Sequence, residues 1–193
     1  ARAAIAAGEV SVAGAPADKP TRLVAPHEPV ARAAAPPAYV SRGGDKLAAA
    51  LARFAIDATD AVVVDAGSST GGFTDCVLQA GASQVVAIDV GRGQLHQRLR
   101  TDDRVDVHER TNIREVDIDL LDRRASLVVA DLSFISLRVV CADLVRLAAP
   151  DADLVWLVKP QFEASHAEAS EHEGVIVDPS IWRRVLADVV GTL

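Results

Sequence analysis

The sequence of 193 residues contains no methionine, one tyrosine and two tryptophans, and it has no long apolar run. A membrane-spanning helix needs about 20 consecutive apolar residues, so no spanning segment is expected. The chain also opens without the charged and then apolar leader of a secreted protein, which favours the cytoplasm. Because the first residue is not methionine, we expect a piece of a longer protein or a trimmed one.

Cysteine and histidine are too scarce to predict a disulfide framework or a metal site. Cys76 and Cys141 both lie in predicted helices among apolar neighbours, where a buried free thiol is the more common state. The five histidines are scattered, and none forms a close pair with a cysteine. We therefore expect no metal, and no feature of the sequence implies an oligomer.

The first positive signal is an apolar run that ends in an acid and is followed by glycines. Residues 62–64 are valine, Asp65 follows, and Gly67 and Gly71 precede a helix-compatible stretch at 73–80. This order predicts a buried strand, a turn and a helix around a nucleotide-sized ligand. The spacing G-x-x-x-G-G is not the dinucleotide pattern, and a carboxylate would repel a pyrophosphate. A ligand with a cationic group, such as the α-amino group of S-adenosylmethionine, fits better.

A second short apolar stretch, residues 84–89, also ends in an acid. Asp89 stands where α/β cofactor folds hold the two ribose hydroxyls, so Asp65 and Asp89 are expected to face one crevice. Further along the chain, apolar strands alternate with helices, and residues 109–112 fall where such folds contact the base. We predict strands at 62–65, 84–89, 104–108, 127–131 and 154–158, and helices at 42–54, 73–80, 91–100, 136–149 and 180–190.

This alternation predicts an α/β fold of the Rossmann-like type, with a mostly parallel sheet and helices on both faces. Residues 161–178 are rich in polar residues and predict a long loop. Residues 31–38 contain paired prolines and predict an extended linker, which places a domain boundary there. Residues 1–42 carry a net charge of +2 and the other 151 residues carry −9, which suits an arm that touches phosphates.

The first 30 residues predict a small αβ unit. Its order is a helix at 1–7, a G-x-V-x-V strand ending at Val12, a turn, Lys19-Pro20, and a further strand at 22–24. This order resembles the C-terminal half of an S4-type RNA-binding domain, and a small appendage without a ligand is the alternative. The resemblance implies RNA contacts from the basic residues Arg2, Lys19, Arg22 and Arg42.

Motifs along nearly the whole chain together resemble the TlyA (hemolysin A) family. They are Tyr39-Val40-Ser41-Arg42-Gly43 with Lys46-Leu47, Asp65-x-Gly67 with Thr70-Gly71-Gly72-Phe73-Thr74, Glu109-Arg110-Thr111-Asn112, Ala130-Asp131-Leu132-Ser133-Phe134-Ile135-Ser136, and Leu157-Val158-Lys159-Pro160-Gln161-Phe162-Glu163. The resemblance implies an S4 domain before a methyltransferase domain at 39–193 whose last strands lie beyond Leu193. It also implies methylation of a ribose 2′-hydroxyl, with cytidine as the expected nucleotide, in bacterial ribosomal RNA or ribosomal subunits.

The resemblance also implies site residues. Of the family's Lys-Asp-Lys-Glu catalytic set, Lys46, Asp131 and Lys159 match the first three members. The glutamate has no counterpart, because Glu163 stands too close to Lys159, so cofactor binding without activity is one expectation for this chain. S-adenosylmethionine is expected to contact Asp65, Gly67, Ser69, Thr70, Gly71, Phe73, Thr74, Asp89, Asn112 and Asp131.

The chemistry of ribose methylation is consistent with these residue types. A ribose hydroxyl is a poor nucleophile, so its proton must be removed while oxygen, methyl and sulfur are held in line. A lysine with another cation beside it can take that proton, whereas arginine does not deprotonate. The chain has 17 arginines and three lysines, and two of the three are Lys46 and Lys159.

Two other functions remain open from the sequence. Asp131-Leu132-Ser133-Phe134 resembles the D-P-P-Y type of signature, in which a carboxylate and an aromatic ring hold a flipped base, so an amino-methyltransferase is the second enzyme hypothesis. A non-catalytic RNA-binding or ribosome-associated protein with the same fold is the third. A pore is disfavoured, because no spanning or amphipathic barrel segment is present.

Overall fold

The computed structural model describes residues 1–33, 37–118, 121, 123–172 and 175–193. The chain divides into two compact units, Ala1–Ala38 and Tyr39–Leu193. No helix among the described residues is long and apolar enough to cross a membrane.

The first unit packs one short helix with a three-stranded antiparallel sheet. Its elements are α1 (Arg2–Ala6), β1 (Val10–Val12), β2 (Ala15–Pro16) and β3 (Val30–Arg32). The strand order is β2-β1-β3, so β1 is central, and its Val12 is buried because it has neighbours on both sides.

The third strand of this unit is not at the predicted position. Residues 22–24 have no regular structure, and Leu23 is exposed. The strand lies at Val30–Arg32 instead, so the first residues of the predicted linker pair with β1. This segment pairs with β1 through its backbone, and Arg32 forms an ion pair with Glu9 at 2.8 Å. Both interactions join residues that are distant in sequence, so the local residue pattern does not predict them.

The second unit is a parallel five-stranded sheet with helices packed on it. Its strands occur in the order β6-β5-β4-β7-β8, and every neighbouring pair is parallel. The strands are β4 (Val62–Ala66), β5 (Gln84–Asp89), β6 (Val105–Glu109), β7 (Ala125–Ala130) and β8 (Ala148–Trp156). The helices are α2 (Arg42–Phe54), α3 (Gly72–Gln79), α4 (Gln97–Arg100), the 3-10 helix η1 (Ile113–Glu115), α5 (Leu137–Leu147), α6 (Pro160–Glu163), α7 (His166–Glu171) and α8 (Pro179–Val190).

The core explains why the central strands were predictable. All five residues of β4 are buried, since helices cover both faces of a parallel sheet, and such strands are continuously apolar. The predicted α/β architecture is therefore confirmed. Cys76 and Cys141 are buried free thiols in α3 and α5, as predicted.

Two local predictions near the C-terminal half were wrong. The fifth strand begins at Ala148, directly after α5, rather than at residue 154, and a register irregularity between Ala125 and Leu127 accommodates its early start. The predicted loop at 161–178 contains α6 and α7. Ser165 and Glu168 form a reciprocal capping box at the start of α7, which is a sequence signal that the polar composition obscured.

Glycines bring the first turns of α2 and α3 into contact. A Cβ at Gly72 would lie 2.9 Å from the backbone nitrogen of Gly44, and one at Gly44 would overlap the ring of Tyr39. Ser41 caps α2 by accepting a hydrogen bond from the Gly43 N–H at 3.3 Å. This close packing places Lys46, one turn further along α2, beside the turn that follows β4.

We expect Gly44→Ala to destabilise the second unit and Gly43→Ala to do so much less. The added methyl group at position 44 meets the Tyr39 ring, and such overpacking costs about 1–3 kcal/mol. At position 43 the nearest atom is the Ser41 Oγ at 3.3 Å, and the better helix propensity of alanine offsets the contact. Urea unfolding measures the free energy of unfolding of both variants. Equal values for the two would contradict the packing argument.

Candidate active site

A crevice with two lobes lies at the carboxyl ends of the parallel strands. The first lobe has a volume of about 670 Å³ and lies between the start of α2 and the turn after β4. The second has a volume of about 530 Å³ and extends past the end of β5. Gly67, Ser69, Asp131 and Ser133 line both lobes, so the two form one continuous crevice.

The turn after β4 has an unusual backbone. Gly67, Ser69 and Gly71 have φ angles of 83°, 47° and 95°, which only glycine adopts without strain. A Cβ at Gly67 would lie 3.0 Å from the Asp131 carbonyl oxygen, so this turn passes close to the end of β7. At Gly71 a Cβ would overlap Leu99, which explains this glycine by packing rather than by a ligand.

Asp89 holds the turn from the next strand. Its Oδ2 accepts a hydrogen bond from the Ser69 N–H at 2.8 Å, and its Oδ1 accepts one from the Gly91 N–H at 2.7 Å. The bond to Ser69 accounts for the left-handed backbone there. Each carboxylate oxygen has more than one lone pair, so Asp89 lines the second lobe with acceptor capacity for ribose hydroxyls.

The far end of the second lobe is an apolar slot. Asn112 stands at its edge, and its Oδ1 accepts the Arg114 N–H at 3.1 Å, which leaves its amide NH₂ as a donor. A flat heteroaromatic ring with polar edges suits these walls. The apolar side chains that line the slot are Ile88, Ile113, Leu132 and Ile135.

Asp65 does not line the crevice. The side chain is fully buried beneath the turn, where Oδ2 accepts a hydrogen bond from the Thr74 hydroxyl at 2.6 Å, and Oδ1 has no hydrogen-bond partner among the described residues. Burial raises the pKa of this carboxyl to about 7, against the lowering effect of Thr74. A buried acceptor without a partner fits a cationic group above it, but of the two acids expected to face the crevice, only Asp89 reaches its surface.

The predicted residues of the turn therefore divide into two sets. Gly67, Ser69, Thr70 and Phe73 line the first lobe, and Phe73 also packs in the core. Asp65, Gly71 and Thr74 lie behind the turn and shape it. Direct contact of this second set with a cofactor stays a prediction.

Two amines and one carboxylate meet at the mouth of the first lobe. The Lys159 Nζ lies 2.6 Å from Asp131 Oδ1, and the Lys46 Nζ lies 3.5 Å from Asp131 Oδ2. Lys159 also donates a hydrogen bond to the Ser133 hydroxyl at 2.8 Å. These three predicted residues come together from α2, from the end of β7 and from the start of α6. Ser133 is a contact that the sequence analysis missed, although it stands two residues after Asp131.

Phe134 follows this cluster and is 92% exposed. Its φ angle is 64°, which is strained for a bulky side chain, and its ring lies 5.3 Å from the ring of Phe162 between centroids. An exposed aromatic ring beside a charged crevice is a platform on which a base can stack.

The predicted RNA-contacting residues are exposed, and they occur in both units. Arg42 lines the first lobe of the crevice in the second unit. Arg2, Lys19 and Arg22 are exposed on the first unit.

Glu163 has a structural position. The residue is 5% exposed, and its side chain accepts hydrogen bonds at the start of α5, so it is not at the crevice. The identity of the fourth catalytic residue stays a prediction.

The strand order, with β4 in the centre and a crevice over its carboxyl end, is that of a Rossmann-like doubly wound α/β fold. Residues 39–192 match the FtsJ-like methyltransferase family, and the chain belongs to that family.

Relatives of this chain carry ribosomal and hemolysin names. It is 48% identical over 181 residues to the 16S/23S rRNA (cytidine-2'-O)-methyltransferase TlyA of Mycobacterium tuberculosis. The matched residues cover 93% of this chain and 67% of the mycobacterial protein. It is 37% identical over 156 residues to hemolysin A of Brachyspira hyodysenteriae, with 80% and 65% covered. A solved hemolysin-type protein from Streptococcus thermophilus superposes with a TM-score of 0.77 at 38% identity, over 98% of this chain and 69% of its own. The resemblance to the TlyA family is thereby confirmed, and the chain spans about two thirds of the length of these relatives. The S4 resemblance of the first unit stays a prediction.

We expect Asp65→Asn to remove a pH dependence of stability. A carboxyl pKa raised to about 7 in the folded state stabilises the fold fully below the unfolded pKa, and this contribution is lost as pH rises through about 7. The difference in unfolding free energy between wild type and the variant should therefore fall with rising pH, by an amount on the order of 4 kcal/mol.

Asp57→Asn is the matched control. Hydrogen bonds from Thr59 lower the pKa of this exposed carboxyl, so its contribution is lost as pH falls instead. Denaturant unfolding from about pH 4 to 8 measures both differences, and the Asp57 difference should be flat over this range because its loss begins only below about pH 4. If the difference in unfolding free energy between wild type and Asp65→Asn does not change over this pH range, the buried, protonated state of Asp65 is contradicted.

Proposed function

We propose that the full-length protein transfers a methyl group from S-adenosylmethionine to the 2′-hydroxyl of a cytidine in bacterial ribosomal RNA. The observation that carries the proposal is the meeting of Lys46, Asp131 and Lys159 at the mouth of the crevice. The ribosomal names of the relatives support the substrate, and an RNA substrate of this kind places the reaction in the cytoplasm, on rRNA or assembled subunits.

The crevice offers the groups that S-adenosylmethionine needs. Asp89 supplies acceptors for the ribose hydroxyls, and Asn112 with the apolar slot suits the adenine ring. The turn from Gly67 to Thr70 would hold the methionine part, and a cationic α-amino group bound above Asp65 would favour the ionised form of this buried carboxyl, whose Oδ1 has no hydrogen-bond partner among the described residues. When bound, the cofactor supplies an electrophilic methyl group.

The lysine–aspartate cluster handles the proton. The Lys159 amine donates a hydrogen bond to the Ser133 hydroxyl and forms an ion pair with Asp131 Oδ1, which leaves a further position of the nitrogen for the hydroxyl of the ribose. Lys159 therefore removes the proton, and Asp131 orients it and offsets the positive charge that results. Lys46, on the other side of Asp131, stabilises the negative charge that develops on the ribose oxygen.

The surroundings of the cluster favour an RNA substrate. Arg42 on the rim of the first lobe can bind a phosphate, and the exposed ring of Phe134 can stack on a base. The first unit would add phosphate contacts through Arg2, Lys19 and Arg22, in keeping with its S4 resemblance. Within the second unit, the contacts of Arg42 and Phe134 would position the nucleotide with its ribose beside Lys159.

We expect Lys159→Ala and Lys46→Ala to lower kcat by roughly 10²–10⁴-fold while binding of S-adenosylmethionine is retained. Lys159→Arg should be as inactive as the alanine variant, because a guanidinium keeps its proton. Arg53→Ala, which removes an exposed cation from the last turn of the same helix as Lys46, is the control and should keep full activity. Single-turnover methylation and calorimetry separate the two effects. Retained transfer in both lysine variants would favour the amino-methyltransferase hypothesis.

The product identifies the reaction. The full-length protein with labelled S-adenosylmethionine should place the label in 2′-O-methylcytidine when ribosomal subunits or rRNA are the substrate. Mass spectrometry of nucleosides after complete digestion measures this. Label only in base-methylated nucleosides would refute ribose methylation, and absence of cofactor binding would favour a non-catalytic RNA-binding protein.

A further inference from the structure

Helix α6 lies alongside the segment that follows β7, and the two are joined by a series of contacts. α6 is a single turn that begins directly after Lys159, its N-cap residue. The contacts follow the order of both segments. They are Lys159 with Asp131 and Ser133, Phe162 with Phe134, and Glu163 with Ser136 and Leu137.

Glu163 makes the buried contact of this series. Its Oε2 accepts a hydrogen bond from the Ser136 hydroxyl at 2.6 Å, and its Oε1 accepts one from the Leu137 N–H at 2.6 Å. The Arg138 Nε lies 3.5 Å from Oε2, and the Arg138 guanidinium also donates to the Glu163 carbonyl oxygen at 3.1 Å. The carboxylate therefore satisfies the first turn of α5, where backbone N–H groups have no partner within the helix.

The remaining contacts between α6 and this segment are weaker constraints. Lys159 reaches Asp131 through a long side chain with several rotatable bonds, and the two phenylalanine rings are only in van der Waals contact. Phe134, within the segment, has a strained backbone that other interactions must hold in place. A buried carboxylate that accepts two hydrogen bonds and forms an ion pair is the contact best able to do so.

We propose that Glu163 is a positioning residue for methyl transfer: by fixing α6 to the start of α5, it holds the Lys159 amine on Asp131 and Ser133. This inference rests on the proposed function for the role of Lys159. A displacement of reacting groups by about 1 Å can cost on the order of 10²-fold in rate, so loss of this contact should lower kcat by about 10- to 100-fold. Cofactor affinity should change little, because Glu163 does not line the crevice.

The chain offers a direct spectroscopic readout of this role. Residues 1–193 contain three lysines, Lys19, Lys46 and Lys159, so this part of the ¹⁵N-lysine-labelled protein contributes few amine signals, which lysine variants can assign. Glu163→Ala should shift the Lys159 signal, and it should leave the Lys19 signal in place. A variant that only reduced stability would not move one lysine signal of the folded protein.

Glu168→Ala is the matched control. Glu168 also caps a helix, by accepting a hydrogen bond from the Ser165 N–H at 3.0 Å, and it also pairs with an arginine, Arg184, at 2.7 Å. Its loss should leave the Lys159 signal and kcat unchanged. Glu163→Gln keeps the size of the side chain and an acceptor for the Leu137 N–H, so it should restore most of the activity that alanine loses.

The full-length protein is tested with wild type, the two glutamate-to-alanine variants and Glu163→Gln, by lysine NMR, single-turnover kcat and calorimetry with S-adenosylmethionine. If Glu163→Ala does not fold, Glu163→Asp, which shortens the side chain by one methylene, takes its place. A Lys159 signal and kcat unchanged in the folded variant would overturn this inference. A wild-type protein that does not methylate ribose would overturn the proposed function instead, whatever the Lys159 signal shows.

Discussion

Asp131 is a single carboxylate shared by two amines, and the arrangement of the crevice depends on it. Two ammonium groups repel each other, so Lys46 and Lys159 stand in one crevice only because a carboxylate lies between them at 3.5 Å and 2.6 Å. Each of the three side chains comes from a different element. The positions of the three elements that carry them are therefore constrained by the attraction between one carboxylate and two amines.

The backbone around this cluster is built to meet that constraint. Gly72 allows α3 to approach the start of α2, which carries Lys46, and Gly67 allows the turn after β4 to approach the end of β7, beside Asp131. On the other side, Glu163 joins the segment bearing Lys159 to the start of α5. The glycines and the buried Glu163 carboxylate thus have the same effect. Both fix the elements that carry the lysine–aspartate cluster.

Three aspartates end three neighbouring strands, yet they do different work. Asp65 is buried with a raised pKa, Asp89 braces the turn with both oxygens, and Asp131 pairs with amines. In sequence each is an acid after an apolar run. Their difference arises from what packs above each strand end, because burial and partners decide whether a carboxylate is neutral, structural or ionic.

The sequence by itself determined the sheet, the helices α2, α3, α5 and α8, and the identity of the lysine–aspartate cluster, because apolar periodicity and motif residues are local properties. It did not determine the strand at Val30–Arg32, the early start of β8 at Ala148, or the contact between Lys159 and Ser133. These depend on pairing between distant segments, for which no neighbouring residue carries a signal. The burial of Asp65 and the role of Glu163 were likewise decided by tertiary structure, since desolvation and long-range hydrogen bonds exist only once the chain has folded.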